Sequence, residues 1–226
     1  MKHILIIASN GPSLINFRLP LIKEFLSRGH TVSVVSPANN FPRSLQKILK
    51  DLRVNINNFS LSSTGLNFFK DFKSCFQIYK IIKNSKPDIV ISYTVKPVIY
   101  SGLVLKFFKK IKYYPLITGL GYAFIDRHSI RHKILKFVVI KLYRYGLKNS
   151  EKIIFQNKDD RTLFLNLKII RKKRSSYIVN GSGVDLNLYP VSSLPSKPVF
   201  LIISRLLVDK VFREYVQVVK IVRSTF

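Results

Sequence analysis

Apolar residues along the chain follow two alternating patterns. Short apolar or β-branched runs, such as residues 4–8 and 31–35, are typical of strands that are buried on both faces of a sheet. Longer stretches repeat apolar residues at helical spacing, and residues 17–28 close with Gly29, a typical helix-ending glycine. The predicted strands are residues 4–8, 31–35, 54–59, 89–92, 113–117, 152–156 and 177–179. The predicted helices are residues 17–28, 42–52, 66–84, 96–108, 130–147 and 159–167.

This alternation predicts an α/β fold with a Rossmann-like, mostly parallel sheet and helices on both faces. Ligands of such sheets bind beyond the carboxyl ends of the strands, where the strand order reverses. We therefore expect the ligand site in the loops at residues 9–16, 92–97, 118–124 and 180–184. A last apolar segment, residues 199–204, is predicted to be a strand that opens a second domain. The predicted domains are residues 1–194 and a truncated start of a second Rossmann domain, residues 195–226.

The composition is strongly basic, with 39 Lys and Arg against 11 Asp and Glu and a net charge of +28. Nucleic acid, anionic lipid and a phosphorylated substrate would each explain this surplus, and a biased genome composition would explain part of it. The sequence has no recognisable nucleic-acid-binding module, so nucleic acid is not an expected partner. The single cysteine, Cys75, excludes an internal disulfide framework and is predicted to be a packing residue. His128 and His132 have ligand spacing but no third ligand, so no metal site is expected.

Two predicted helices are unusually basic, and we expect them to contact an anionic membrane. Basic residues line the second of them with no acidic residue between, a pattern typical of a helix lying on anionic lipid. Its predicted apolar face comprises Ile134, Val138, Leu142 and Tyr145. The basic residues expected at the membrane are Lys109, Lys110, Lys133, Lys136, Lys141 and Arg144. An ordinary solvated helix face is the alternative, and no apolar run reaches the roughly 20 residues that a membrane span requires.

Two glycine-bearing loops are the candidate ligand loops. Gly11 follows the first strand and precedes a helix, where backbone N–H groups and the helix dipole can receive an anion. A simple strand-to-helix turn is the alternative for Gly11. Gly119 and Gly121 follow a buried strand and permit the backbone to approach a ligand closely. Tyr122 beside them can stack on a sugar ring, although core packing would also explain it.

Several short motifs occur in a fixed order along the chain. They are NFRLPLI (residues 16–22), RGH (28–30), KPDIV (86–90), TGLGYAF (118–124), NGSGVD (180–185) and SRLLVDK (204–210). In this order and spacing they resemble the retaining glycosyltransferases of family 4, which have two Rossmann-like domains (the GT-B fold). The likeness is strongest to bacterial enzymes that extend lipid-linked oligosaccharides or capsular sugars. It covers the whole chain, which would be the N-terminal half of such an enzyme and the start of its second domain.

The resemblance implies roles for the matching residues. The first domain would bind the acceptor and the second a nucleotide-sugar, expected to be a UDP-sugar, which is a substrate, so no cofactor is implied. Arg205 and Lys210 would contact the donor diphosphate, since a guanidinium and an ammonium stabilise a departing diphosphate. Gly11 would lie near the same phosphates. The acceptor cleft would comprise Asn10, Arg18, Lys96, Gly119, Gly121 and Tyr122. No residue is assigned as catalytic.

The sequence departs from the family pattern in two ways. Val211 stands where the family has a glycine, and the paired-glutamate motif that holds the donor sugar is absent. We therefore expect an incomplete hexosyl- or N-acetylhexosaminyl-type transferase that is cytoplasmic and peripheral at the inner face of the plasma membrane. Its expected partners are a nucleotide-sugar, a lipid-linked or glycan acceptor, the anionic membrane surface and a separate chain supplying the C-terminal domain. The alternative is a non-catalytic, membrane-recruiting subunit of a split glycosyltransferase or an inactive gene relic.

Overall fold

The computed structural model describes residues 1–62, 65, 67–125, 129–171, 176–187, 189–197, 199–203 and 212–225. The chain divides into two compact units, Met1–Gly183 and Val184–Phe226. The functional domains predicted from the sequence, with their boundary after residue 194, stay a prediction.

A seven-stranded sheet forms the centre of the first unit, with the strand order β3-β2-β1-β4-β5-β6-β7. All six neighbouring pairs are parallel. Ile6 on β1 lies beside Val34 of β2 on one side and Ile91 of β4 on the other. The strands are β1 (His3–Ile7), β2 (Thr31–Pro37), β3 (Asn55–Phe59), β4 (Ile89–Tyr93), β5 (Lys112–Ile117), β6 (Ile153–Phe155) and β7 (Ser176–Ile178). The predicted Rossmann-like α/β sheet is confirmed.

Helices cover both faces of this sheet. They are α1 (Pro12–Ser27), α2 (Arg43–Asp51), α3 (Phe68–Ser85), α4 (Val95–Val104), α5 (Ile130–Leu147) and α6 (Lys158–Asn166). On one face, α1 and α2 bury Leu14, Ile22 and Leu49 against β1 and β2. On the other face, α3 to α6 pack against the same central strands. Because each central strand is covered on both sides, its sequence is a continuous apolar run rather than an alternating one.

Local sequence signals explain where the helices begin and end. Helix α1 begins at Pro12 rather than at residue 17. Proline has a φ suited to the first helical turn, and Leu14 and Ile22 extend the buried stripe of the helix. The end of α1 was predicted from Gly29, which has a φ of 76° just beyond the helix. The Asn67 side chain accepts a hydrogen bond from the backbone N–H of Lys70 and caps α3.

The second unit contains one described helix, α7 (Phe212–Thr225). The strand predicted at residues 199–204 is wrong for its described part, because residues 199–203 have no strand pairing. A strand needs a neighbour to pair with its backbone N–H and C=O groups, and the described residues of this unit supply none. The Tyr215 hydroxyl instead donates a hydrogen bond of 3.0 Å to the backbone carbonyl of Phe200.

Helix α5 has the predicted bounds. Ile134 and Tyr145 of its predicted apolar face are exposed, so this face is not the one that packs on the core, and its contact with a membrane stays a prediction. The buried residues of α5 are His132, Val139, Tyr143, Gly146 and Leu147. The reason is a close contact with α4, because a Cβ at Gly102 would lie 2.1 Å from the carbonyl oxygen of Gly146. The two backbones therefore touch, and this contact fixes which side of α5 faces inward.

Candidate functional site

The strand order places a crevice between β1 and β4. The chain moves outward from β1 to β2 and β3, and then returns to add β4 on the opposite side of β1. The loops that leave the carboxyl ends of β1 and β4 therefore diverge to opposite faces of the sheet. Ligands of open parallel sheets bind in the crevice that such divergence creates.

Hydroxyl groups line the two strand ends at this crevice. The Thr94 hydroxyl, just beyond β4, donates a hydrogen bond of 2.8 Å to the Ser9 hydroxyl, just beyond β1. The Ser13 and Tyr93 hydroxyls lie 2.8 Å apart and share a hydrogen bond. Thr94 has φ 68° and ψ 159°, a conformation that costs a non-glycine residue about 1–3 kcal/mol. Strain of this kind clusters at ligand sites, and here it presents the Thr94 hydroxyl at the crevice.

The glycine loop after β5 reaches the same edge of the sheet. Gly119 has φ 148° and Gly121 has φ 75°, both in the region that favours glycine. A Cβ at Gly121 would lie 2.7 Å from Cγ2 of Val95, the first residue of α4. The loop therefore packs directly on the turn that follows β4. Tyr122 is half-exposed, with its ring centroid 5.2 Å from that of His132 in an edge-to-face arrangement.

Arg18 is buried beside Tyr93, one of the residues at the crevice. Arg18 is 5% exposed, and its guanidinium carbon lies 4.7 Å from the centroid of the Tyr93 ring. One guanidinium nitrogen donates hydrogen bonds to the Phe17 carbonyl, at 2.9 Å, and to the Ser182 hydroxyl, at 2.7 Å. Burial lowers the pKa of Arg18, while Tyr93 acts in the opposite direction. Burial likewise raises the pKa of Tyr93 to about 12, so its hydroxyl is protonated at neutral pH. Arg18 thus positions Tyr93 and the Ser182 loop.

Lys96 is paired within the fold. Its ammonium lies 3.0 Å from the Asp71 carboxylate on α3, and the two side chains are 16% and 15% exposed. Burial opposes ionisation of Asp71, but the nearby Tyr100 hydroxyl and the hydrogen bonds from Lys96 and the Asn67 amide, with the charge of Lys96, bring its pKa below the ordinary value. The pair joins α3 to the first turn of α4, at the edge of the sheet that carries the crevice.

Gly11 and Asn10 build the turn between β1 and α1. A Cβ at Gly11 would lie 2.3 Å from the Phe41 ring, so this position requires glycine for packing. The Asn10 side-chain oxygen accepts a hydrogen bond of 3.2 Å from the Ser13 amide, and the Ser13 hydroxyl donates one of 2.6 Å to the Asn10 carbonyl. The structure thus supports the turn interpretation of Gly11, and its role at donor phosphates stays a prediction.

Other candidate groups contribute less to the site. Arg205 and Lys210 lie outside the described residues, so their predicted contact with a donor diphosphate stays a prediction. Within the described ranges, no three His, Cys, Asp or Glu side chains are placed to hold a metal ion. Cys75 packs against the core, and burial together with the Asp71 charge raises its pKa to about 11. Its thiol is therefore protonated and unreactive at neutral pH.

The predicted membrane-contacting residues differ in their surroundings. Lys109, Lys110, Lys133 and Lys141 are exposed, and we refer to them as the outer lysines. Lys136 is partly buried. Arg144 is also partly buried, and its guanidinium donates a hydrogen bond to the Leu167 carbonyl. Arg144 therefore has a structural role in holding the end of α6 to α5. No helix in the described part of the chain is both long and apolar enough to cross a membrane.

Four of the crevice residues were not singled out from the sequence. They are Ser9, Ser13, Tyr93 and Thr94. All four lie in or beside the two predicted ligand loops, residues 9–16 and 92–97, so the loops were found although the individual side chains were not. The strained backbone of Thr94 has no signal in the sequence, because threonine rarely adopts a positive φ.

The fold and the crevice together define a Rossmann-like domain of the kind found in GT-B enzymes. Residues 3–157 match the model of the family described as Glycosyl transferase 4-like. The chain therefore belongs to the Glycosyl transferase 4-like family. This confirms the resemblance that the sequence motifs suggested.

A curated relative supports this assignment. It is the N,N'-diacetylbacillosaminyl-diphospho-undecaprenol alpha-1,3-N-acetylgalactosaminyltransferase of Campylobacter jejuni, with 26% identity over 219 residues. The match covers 91% of this chain and 56% of the relative. The chain thus spans a little over half the length of this relative.

Solved structures support the fold. The S. aureus MnaA–UDP structure has a TM-score of 0.57 and 19% identity, covering 87% of this chain and 50% of its own. A glycosyltransferase from Rickettsia africae has a TM-score of 0.55 and 17% identity, with coverages of 78% and 42%. The UDP-GlcNAc 2-epimerase of Methanocaldococcus jannaschii, in complex with UDP-GlcNAc and UDP, has a TM-score of 0.55 and 18% identity, with coverages of 79% and 46%.

Proposed function

We propose that this chain is the acceptor-binding part of a retaining glycosyltransferase that transfers a sugar from a nucleotide donor to a lipid-linked acceptor. The observation that carries the proposal is the convergence of the loops after β1, β4 and β5 on one crevice at the strand ends. Membership of the glycosyl transferase family supports the reaction class. The Campylobacter relative, named for a diphospho-undecaprenol acceptor, supports a lipid-linked acceptor.

The donor in this proposal is a UDP-sugar of the hexosyl or N-acetylhexosaminyl type. The Campylobacter relative is named as an N-acetylgalactosaminyltransferase, and two structural neighbours are named as UDP complexes. Arg205 and Lys210 would hold the diphosphate, and Gly11 would lie close to it. The acceptor hydroxyl forms a bond to the anomeric carbon as the bond to the diphosphate breaks, and the hydroxyl proton is released. No cofactor is needed for this exchange.

The chain's own residues suit an acceptor sugar at the crevice. The Thr94 hydroxyl lies between the ends of β1 and β4 and can exchange its Ser9 partner for a sugar hydroxyl. Tyr122 is half-exposed beside the glycine loop, and the face of a tyrosine ring packs well on a sugar. The backbone at Gly119 is open to close approach, since a Cβ there would have no neighbour within 4 Å.

The proposed location is the inner face of the plasma membrane. Of the outer lysines, Lys133 and Lys141 lie on α5, a helix without an acidic residue, and anionic lipid is concentrated on the cytoplasmic leaflet. A lipid-linked acceptor is presented at this surface. The outer lysines would hold the acceptor-binding crevice close to it.

Acceptor binding tests the proposal directly. We would titrate the chain by calorimetry with a short-chain polyprenyl-diphosphate-linked N-acetylhexosamine, using wild type, Thr94→Ala and Thr94→Ser. We expect Thr94→Ala to weaken binding by up to about tenfold, since a net hydrogen bond contributes about 0.5–1.5 kcal/mol, and Thr94→Ser to restore it. Thr162→Ala, an exposed threonine on α6, is the matched control. Absence of acceptor binding, or equal binding by all variants, would contradict the proposal.

A transfer assay separates this proposal from a non-catalytic role. Radiolabelled UDP-N-acetylhexosamines are supplied with the same acceptor, with and without a second chain carrying a nucleotide-sugar-binding domain. Transfer by the chain alone supports an enzyme. If the chain binds the acceptor but transfer needs the second chain, the result supports a membrane-recruiting subunit of a split glycosyltransferase. If the chain binds the acceptor and no transfer occurs in either case, the result supports an inactive relic.

A further inference from the structure

Helix α3 exposes a row of aromatic side chains near its amino end. Phe68, Phe69, Phe72 and Phe76, which we call the phenylalanine ridge, are 80%, 84%, 67% and 50% exposed. They present on the order of 500 Å² of ring surface, comparable with the largest apolar patch on a typical monomer. The opposite side of α3 is buried through Ser74, Ile78 and Ile82. Among the described residues, none covers the ridge, and the inner face of the same helix is already used by the core.

The charges around the ridge indicate an anionic partner. Lys70, Lys73, Lys80 and Lys83 are all exposed on the same helix. The ammonium of Lys80 lies 4.7 Å from the centroid of the Phe76 ring. Asp71, the one acidic residue of α3, lies against α4 and is paired with Lys96. A second copy of this helix would bring like charges together, whereas an anionic membrane matches both the rings and the lysines.

The position of the ridge relates it to the crevice. Asp71 precedes Phe72 directly and bonds to Lys96 in the first turn of α4. Val95, the neighbour of Lys96, lies under Gly121 of the glycine loop. The amino-terminal half of α3 thus lies at the edge of the sheet that carries the crevice. On the other side of α4, the first half of α5 also exposes apolar residues, among them Phe137.

We propose that the phenylalanine ridge inserts into the interfacial region of an anionic membrane and holds the crevice at the membrane surface. The lysines of α3 then lie at the level of the headgroups and the rings below it. This inference rests on the proposed function, because a lipid-linked acceptor presents its sugar at that level. It assigns apolar insertion to α3, whereas the outer lysines contribute charge.

The absence of tryptophan from the chain permits a direct test. Phe72→Trp places a single tryptophan in the ridge, and Phe17→Trp places one on α1, at an exposed position on the opposite face of the sheet; excitation at the red edge of the tryptophan band avoids the tyrosines. Each full chain is mixed with vesicles of phosphatidylglycerol and phosphatidylcholine, with and without bromine on the acyl chains. We expect a blue shift and bromine quenching for Phe72→Trp and neither for Phe17→Trp. Vesicle binding without quenching of Phe72→Trp, or equal quenching of both, would overturn the inference.

A polar variant provides the second measurement. Phe69→Ser/Phe72→Ser should lower the vesicle partition coefficient by at least about tenfold, given the apolar area removed, with an unchanged circular dichroism spectrum. An unchanged partition coefficient would refute insertion. A blue shift of Phe72→Trp without vesicles, together with a doubled mass in light scattering, would identify a second copy as the partner and also refute it. Neither measurement uses a sugar donor or acceptor, so membrane insertion without acceptor binding would contradict the proposed function and leave this inference standing.

Discussion

The contact between Gly102 and Gly146 offers a sharp test of how α4 and α5 are joined. In Gly102→Ala the new Cβ would lie 2.1 Å from the carbonyl oxygen of Gly146 and 2.5 Å from its carbon. An ordinary contact begins at 3.4 Å, so the α5 backbone would have to recede by at least about 1.3 Å. Backbone atoms cannot rotate away as a side chain can. The buried residues of α5, including Val139 and Tyr143, would then lose contacts with the core.

The magnitude follows from two opposing effects. Overpacking of this kind lowers the free energy of unfolding by about 1–3 kcal/mol. Because Gly102→Ala displaces a whole helix, we expect its cost at the upper end of this range or beyond it. Replacing glycine by alanine inside a helix returns up to about 1 kcal/mol. We therefore expect Gly102→Ala to lower the free energy of unfolding by about 2 kcal/mol and Tm by about 4–8 °C. Urea unfolding followed by circular dichroism measures the change.

Gly146→Ala is the matched control for this substitution. Its Cβ would lie 3.0 Å from the Ile99 carbonyl oxygen, so a shift of a few tenths of an ångström relieves the contact. We expect its unfolding free energy to stay within about 1 kcal/mol of wild type. If Gly102→Ala is as stable as wild type or Gly146→Ala, then α4 and α5 have room between them and the reasoning is wrong.

Two further predictions concern charge. Replacing the four outer lysines by Gln should remove about 4 kcal/mol of attraction to anionic vesicles, at about 1 kcal/mol each, and abolish cosedimentation with these vesicles at low salt. Arg144→Gln is the control and should chiefly lower Tm. Unchanged cosedimentation of the lysine variant would show that other residues contact the membrane. Asp71→Asn should cost about 1 kcal/mol at pH 7, after solvent screening. Because the folded-state pKa of Asp71 is lowered, its contribution to the free energy of unfolding is present above about pH 4 and is lost as the pH falls further. A difference in unfolding free energy between wild type and Asp71→Asn that does not change with pH would contradict the role of the ionised Asp71.

The sequence alone predicted the strands and helices of the first unit and their order. Residues 130–147 were predicted as a helix with the bounds that α5 has, and Gly29 marked the end of α1. These features are local, since helical spacing, capping and a left-handed glycine depend on a few neighbouring residues. The parallel sheet also followed, because alternating strands and helices leave little other choice of topology. The loops at the strand ends were found for the same reason.

The tertiary structure decided which side chains those loops and helices present. Helix α5 carries apolar residues on more than one side, so its spacing alone left the buried face open, and the backbone contact between Gly102 and Gly146 selected it. The buried Arg18 donates a hydrogen bond to Ser182, which lies 164 residues away in the chain. The strain at Thr94 depends on packing around the turn and not on the residue itself. Periodicity shows that a helix has an apolar side, but burial and pairing belong to contacts between distant residues, and these exist only once the chain has folded.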